Sequence, residues 1–414
     1  MAMSSVSLRK TRRTRFVCIS DTHNATIKLP KGDVLIHAGD LTNQGSYSEL
    51  SKATQWLESA DFEVKIVIAG NHDITLDEDF YSQHGQTFHN KHPQDPVQCS
   101  SLLTSSRTIT YLRHSSATIR LSNPAGPGTE FTVFGSPYSP RNGLWAFGYD
   151  QDSATSGAQT VDTIGKSASE IWAAIPRNID ILVTHTPPHN HCDGGSDHNS
   201  QLGCEELRKV IGRTRPRLHV CGHIHRARGA ERVTWKLGNP DYEDGTCAEV
   251  AGVEYWEDPS PDSRSAKISL VDLTDRGVNR SPDPWLASNA AGLAEENPSD
   301  NFNSPHQAGG SLICPTLSGS ESQPATRPSD RAGRDGDLGT RSNQSPGRNL
   351  GTGPLGSQGA GSVQGNPAEP PDRRISRRET CIVNCAIMAS NWPHPAGRRF
   401  NKPIVVDLDL PVWR

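Results

Sequence analysis

Apolar residues are scarce in this chain: hydrophobic types make up 33% of its 414 residues, aromatics 6%, and methionine occurs three times. That is thin for a wholly globular protein, so part of the chain is expected never to fold, while the remainder suffices for one large or two ordinary domains. No apolar run approaches the roughly 20 residues that span a bilayer, which argues against a transmembrane helix. The basic, Ser-rich start (Arg9, Lys10, Arg12, Arg13, Arg15) lacks the apolar stretch of a secretory signal. A large charge of one sign is also missing. With a formal net charge of −4, nothing global draws the chain to nucleic acid or to an anionic membrane, and neither is expected as a partner. The nine cysteines are odd in number, and several, such as Cys18 and Cys221, sit in apolar runs. They read as reduced, buried thiols of an intracellular, cytoplasmic protein.

What is plentiful is glycine (37) and proline (30), and they are unevenly spread. Residues 1–13 form a basic flexible start. From 14 to 238, short β-branched runs (16–20, 34–37, 64–69, 181–184, 218–221) alternate with helical patterns at 47–60, 170–175 and 205–211, the arrangement of sheets covered by helices. Residues 108–136 read instead as hairpins broken by Asn123-Pro-Ala-Gly-Pro-Gly, so parallel and antiparallel pairing are both expected. Residues 239–378 are low in complexity, with isolated strand-like pieces at 253–256 and 267–273. From 276 onward their Gly, Ser, Pro, Asn and Arg cannot offset the entropy of ordering, so this insertion is expected to be largely disordered. Within it, Arg373-Arg-Ile-Ser376 resembles a basophilic kinase site. Apolar character returns at 379–414, where two strand-like runs should complete the amino-terminal sheet.

Each apolar run in the first half ends at a residue that can bind metal. Residues 16–20 run into Asp21-Thr-His23, 34–39 into Asp40, and 64–70 into Asn71-His72-Asp73; 181–184 deliver His185, and 218–222 deliver His223-Ile-His225. In sheets covered by helices, ligands bind beyond the carboxyl ends of the strands, so these side chains should converge on one rim. Three acidic or amide residues and four imidazoles make a mixed N/O set suited to Mn, Fe or Zn rather than Ca or Mg. Asp40, alone after its glycine, is the natural bridge between two ions.

Asp21-x-His23, Gly39-Asp40, Gly70-Asn-His-Asp73, Thr184-His185 and Gly222-His-x-His225 resemble, in order and spacing, the signature of the calcineurin-like metallophosphoesterases. Thr184-His-Thr-Pro-Pro188 and His37-Ala-Gly-Asp-Leu-Thr42 sharpen the resemblance to the small metallophosphoesterase-domain proteins of animals and their fungal relatives. The resemblance covers 14–237 and resumes at 379–411. It implies an α/β fold, a four-layer αββα sandwich with mixed sheets, and a phosphoric ester hydrolase using two divalent or transition metal ions. It places Asp21, His23, Asp40 and His225 on one metal and Asp40, Asn71, His185 and His223 on the other. His72 matches a histidine that binds no metal and instead stabilises the transition state or protonates the leaving oxygen. A hydroxide held between the metals would attack phosphorus in line.

The protein phosphatases of that superfamily follow the bridging Asp with an Asp-Arg pair and precede Asn-His with Arg; here stand Gly39-Asp-Leu-Thr-Asn-Gln-Gly45 and Ala69-Gly70-Asn71. Without those arginines, a small phosphodiester such as a cyclic nucleotide is favoured over a phosphoprotein. Asn24, Asp73, His191 and Asp193 are candidate substrate contacts, the last two in the polar loop 189–198 that follows His185. The alternatives are a phosphomonoesterase or protein phosphatase of the same fold, and a metal-binding scaffold with little turnover. A nuclease would need a basic, aromatic-bearing groove, and none is visible outside the amino terminus.

Overall fold

The computed structural model describes residues 10–151, 167–194, 202–236, 249–260, 265–274, 377–390, 394 and 397–413. Most of the expected disordered insertion and the kinase-like Ser376 therefore lie outside the described residues, as do residues 195–198 of the polar loop.

The chain opens with β1 (Thr11–Ile19), β2 (Val34–Ala38), helix α1 (Tyr47–Ser59) and β3 (Val64–Ile68). β1 pairs in parallel with β2 and β2 with β3. Parallel strands of this kind are buried on both faces, and the alternation of β1 shows why: Phe16 and Cys18 enter one core, Val17 and Ile19 another. α1 begins at a capping box, with Ser46 bonded to the Glu49 amide and Glu49 reaching back to the Ser46 amide, and it buries Leu50, Ala53 and Leu57 on the sheet. Two further helices follow, α2 (Glu78–His89) and α3 (Pro96–Thr104), and then β4 (Ile109–Tyr111).

Here the hairpin expectation is only half met. β5 (Ser115–Arg120) and β6 (Glu130–Ser136) do form an antiparallel hairpin, but β4 pairs in parallel with β3 in the other sheet. The chain crosses between sheets at residues 112–114, a turn that adjacent β-type runs cannot announce. Short β7 (Ser139–Pro140) and β8 (Gly148–Tyr149) pair with each other, and α4 (Ala168–Ala173), β9 (Ile181–Thr184), α5 (Glu205–Thr214) and β10 (Leu218–Cys221) follow. β11 (Gly229–Trp235), β12 (Val250–Tyr255), β13 (Ser269–Leu273), β14 (Glu379–Asn384) and β15 (Ile404–Pro411) complete the described elements.

Among the described residues, the strands other than β7 and β8 form two large sheets, a six-stranded one ordered β13-β15-β1-β2-β3-β4 and a seven-stranded one ordered β12-β11-β14-β10-β9-β6-β5. Phe16, Ile36, Ile66 and Val406 of the first pack against Val183, Leu218, Val220 and Val383 of the second. α1 and α3 cover the outer face of the first sheet, and α4 and α5 that of the second. The layers thus run αββα with mixed pairing, as expected for this fold class. The two carboxy-terminal strands do not join one sheet as a pair. β14 lies between β10 and β11, and β15 between β1 and β13, so each is internal to a different sheet.

Candidate metal centre

The carboxyl ends of β1, β2, β3, β9 and β10 release Asp21, Asp40, Asn71, His185 and His223 onto one rim. The turns that carry them are tight: Asp21 (φ 55°), His23 (φ 43°), Asp40 (φ 54°) and His223 (φ 66°) all occupy the left-handed region. For side chains with a Cβ that conformation costs on the order of 1–2 kcal/mol each, and it persists where surrounding packing over-determines it. Glycines make the close approach possible. A Cβ at Gly70 would overlap Asp40, and one at Gly222 would overlap Ser20 and Asp21.

Three overlapping triads bring their donor atoms within 4.8 Å of one another: Asp21, His23 and His225; His23, Asp40 and His72; Asp21, Asp40 and His185. Asn71 Oδ1 joins them at 3.0 Å from His185 Nε2, and the His223 ring lies 4.9 Å from that of His185. All seven expected ligands are therefore gathered, with His72 beside them. Three imidazoles are aimed by the same device. His23 Nδ1 faces Thr42 O at 3.2 Å, His72 Nδ1 faces Asn43 O at 2.9 Å, and His185 Nδ1 faces Ala38 O at 2.9 Å. A carbonyl only accepts, so each Nδ1 carries a hydrogen and each Nε2 is turned inward, the orientation that such partners impose on ligating histidines.

Asp21 and Asp40 are 0% and 2% exposed, and among the described residues neither pairs with a lysine or arginine. Burial pushes the Asp40 carboxyl up, but the charges of His185 and His72 and a hydrogen bond from His185 hold it well below the usual range. Asp21 is likewise held low against burial by its bond to His225. His185 makes up the charge: burial lowers its pKa, yet Asp40 and Asp21 outweigh that and raise it to about 9. Two buried carboxylates held by a borrowed proton, ringed by inward-turned imidazoles, form a donor set that cations fit.

The candidate substrate contacts fare differently. Asn24 is exposed beside His23 and donates to Glu49 Oε1 at 2.6 Å. Asp73 is a correction: it is fully buried, and its carboxylate accepts from the amides of Leu41, Thr42 and Gly70 and from the Thr42 hydroxyl. It braces the Asp40 turn against the Asn71 turn and has no lone pair facing solvent. Burial and the charge of Asp40 raise its pKa to about 6. His191 and Asp193 are corrected in the same way. His191 pairs with Glu231 at 3.0 Å, and Asp193 accepts from the amides of Asn190 and Gly203. Both are nearly inaccessible and hold their own loop.

Sequence reasoning missed Trp145, whose ring centroid lies 4.0 Å from that of His72. Its loop is tied to the centre by Ala146 N donating to Asn71 O at 3.2 Å. It missed Arg398, which donates to His23 O at 3.1 Å from the segment joining β14 to β15. It also passed over His37 and His219, fully buried on β2 and β10. Their Nε2 atoms meet the hydroxyls of Thr22 and Thr184, and burial lowers their pKa values to about 4 and about 3. Nothing in the sequence around Trp145 pointed to His72.

The sequence profile of the calcineurin-like phosphoesterases matches residues 14–227. The chain belongs to this family. Its members are dinuclear-metal-dependent hydrolases of phosphate esters, and the clustered donors of this chain are in keeping with that family. Human metallophosphoesterase domain-containing protein 1 is 38% identical over 226 residues, 52% of this chain and 62% of that protein. A probable rhamnogalacturonate lyase C of Emericella nidulans is 40% identical over 244 residues, 58% of this chain but 20% of the lyase. Among solved structures, the purple acid phosphatase PPD1 of yellow lupin is similar at 12% identity and a TM-score of 0.27, over 55% of this chain and 40% of that one. The chain thus spans less than two thirds of each of these proteins. Among the described residues, no helix is long and apolar enough to cross a membrane.

Proposed function

We propose that the phosphoesterase hydrolyses a small phosphodiester, with a cyclic nucleotide as one example of the class. The observation that carries this is the character of the rim: carboxylates and imidazoles with, among the described residues, no lysine or arginine paired to Asp21 or Asp40. Where the protein phosphatases carry the Asp-Arg pair and the second arginine, this chain has Leu41-Thr-Asn-Gln44 and Ala69, none of them cationic. A dianionic monoester would gain most from bidentate guanidinium contacts, and a monoanionic diester needs them less.

In this reading Asp21, His23, Asp40 and His225 hold one cation and Asp40, Asn71, His185 and His223 the other, with Asp40 shared. When bound, the pair supplies an activated water at neutral pH and positive charge for the phosphoryl oxygens. The chain's own residues do the rest. His72 is partly open to solvent, and with its Nδ1 spent on Asn43 O it presents Nε2 to the leaving oxygen as proton donor. Trp145, stacked on the ring, limits how far His72 can swing. Asp73 keeps the two turns in register, and Arg398 steadies the His23 backbone.

The test compares bis-p-nitrophenyl phosphate with p-nitrophenyl phosphate on the Mn(II)-loaded protein. The diester should show the higher kcat/KM. A clear preference for the monoester would overturn the substrate class in favour of a phosphomonoesterase.

A further inference from the structure

The turn 222–225 is held by a residue from far outside the family match. Asn384, the last residue of β14, lies opposite Cys221 in the parallel register of β10 and β14 and is 0% exposed. Its Nδ2 lies 3.4 Å from Gly222 O, 3.1 Å from Ile224 O and 3.0 Å from Cys192 O, and its Oδ1 accepts from Ala386 N at 3.1 Å. An amide has two hydrogens, so three carbonyls share them, and all its bonding capacity faces inward. Two of those carbonyls flank His223, the residue in the left-handed conformation. Backbone bonds hold the turn as well: Gly222 N donates to His185 O at 3.0 Å and Ala227 N to Ile224 O at 2.9 Å. Ile224 N donates to Gly222 O at 2.7 Å, and His223 N donates to the Asp21 carboxylate at 3.0 and 3.1 Å.

We propose that Asn384 is a positioning residue for the metal centre, one that locks the 222–225 turn so that His223 and His225 face their ions. The proposal rests on the reading of those histidines as metal ligands. The third carbonyl extends the same lock to the neighbouring loop. Cys192 N donates to Glu231 Oε1 at 2.9 Å and His191 pairs with Glu231 Oε2, so one asparagine and one glutamate fix the 191–193 segment beside the turn. A carboxamide is the side chain the geometry requires. A carboxylate there would set lone pairs against three carbonyls, and an apolar side chain would take one donor from each, leaving Gly222 O and Ile224 O to the amides of Ile224 and Ala227.

The test measures Mn(II) affinity by electron paramagnetic resonance, and kcat at saturating Mn(II), for Asn384→Ser, Asn384→Asp, His225→Ala and Thr380→Val. Thr380 lies on the same strand at its far end, where its hydroxyl accepts from Trp235 Nε1 at 3.0 Å, so its loss reports on stability alone. Both Asn384 variants should bind Mn(II) about tenfold or more weakly and lose kcat in step, while Thr380→Val lowers Tm and keeps wild-type affinity. Wild-type Mn(II) affinity in either folded Asn384 variant would overturn the proposal. So would failure of Asn384→Ser to fold while Thr380→Val folds, since that would mark Asn384 as a general core residue. If His225→Ala keeps full affinity, the ligand assignment itself has failed. Loss in His225→Ala with no loss in the Asn384 variants isolates the failure to Asn384.

Discussion

A carboxylate that serves two cations is felt by both when it is removed. Asp40 receives the His72 amide on Oδ1 at 2.8 Å and faces His185 and His23 with Oδ2 at 3.4 and 3.7 Å, so it touches both halves of the donor set. Asp40→Asn should therefore lower the content of both metals in elemental analysis. His72→Ala should keep both ions and lower kcat by about 10²- to 10⁴-fold, the range of a lost general acid. Full metal in the Asp40 variant would remove the bridge. The buried strand histidines make a separate statement about pH. Burial lowers the pKa values of His37 and His219 to about 4 and about 3, below the unfolded value of about 6.5. Between those limits the unfolded chain binds more protons, so their contribution is intact above about pH 6.5 and is lost as pH falls. In urea titrations of metal-free protein, His219→Leu should lose less stability than wild type between pH 6.5 and 4. Equal losses would show that His219 does not carry that dependence.

Elements were legible where one signal dominated. β1, β2, β3, β9 and β10 announce themselves as apolar β-branched runs because parallel strands are buried on both faces. α1 is marked by Leu50, Ala53 and Leu57 at helical spacing and by its capping box. α2 was not legible: its buried face is only Tyr81 and Gly85, so no apolar stripe stands out. α3 carried a signal that could have been used, Asp95 before Pro96, with the Asp95 side chain accepting from the amides of Val97 and Gln98. Glu49 tests the importance of the α1 cap. Burial raises its pKa, but hydrogen bonds from Asn24 and Ser46 outweigh this and lower it. A depressed carboxylate contributes stability above its unfolded pKa that is lost as pH falls through the folded value. Glu49→Gln should cost roughly 0.5–1 kcal/mol at pH 7, allowing for solvent screening, and less near pH 3. A cost independent of pH in chemical denaturation would show that the charge does not matter there.

At the scale of the whole molecule, the chain closes on itself through β14 and β15. β15 runs antiparallel to β1, with Cys18 opposite Ile404, and Arg15 grips Asp407 through two bonds of 2.7 Å. β14 ends at the metal rim, and Arg398, between the two strands in sequence, bonds His23 O there. By contrast β13, parallel to β15, ends at Leu273 on the far side, and β14 begins on that side too. The described residues on either side of 275–376, Thr274 and Arg377, thus lie at the pole opposite the centre. Replacing residues 275–376 with a Gly/Ser linker of about ten residues, which spans up to about 35 Å, should leave folding and activity nearly intact. Loop length alters closure entropy only by about 0.6 kcal/mol per doubling. Ending the chain at Thr274 should give insoluble or inactive protein. It would remove Ile382, Val383, Ile404, Val405 and Val406, all 0% exposed, at ~1.5–3 kcal/mol each, and would open both sheets internally. A truncated protein as soluble and active as the full chain would show the tail to be an appendage.

The sequence by itself determined the family, the sandwich and the seven residues gathered at one rim. Parallel strands end on one side, and a metal-competent residue at each such end is a local pattern that survives without coordinates. It also marked the late strands as strands, because β-branched runs in a polar stretch can gain stability only by joining a sheet. Tertiary structure alone decided that these strands enter different sheets, that β4 leaves its apparent hairpin, and that Asp73, His191 and Asp193 face inward. It alone brought Trp145 onto His72, Arg398 onto His23 and Asn384 onto the 222–225 turn. The physical reason is shared: strand pairing and hydrogen bonding between residues distant in the chain depend on where the backbone returns, and a polar side chain carries no local sign of which way it will face.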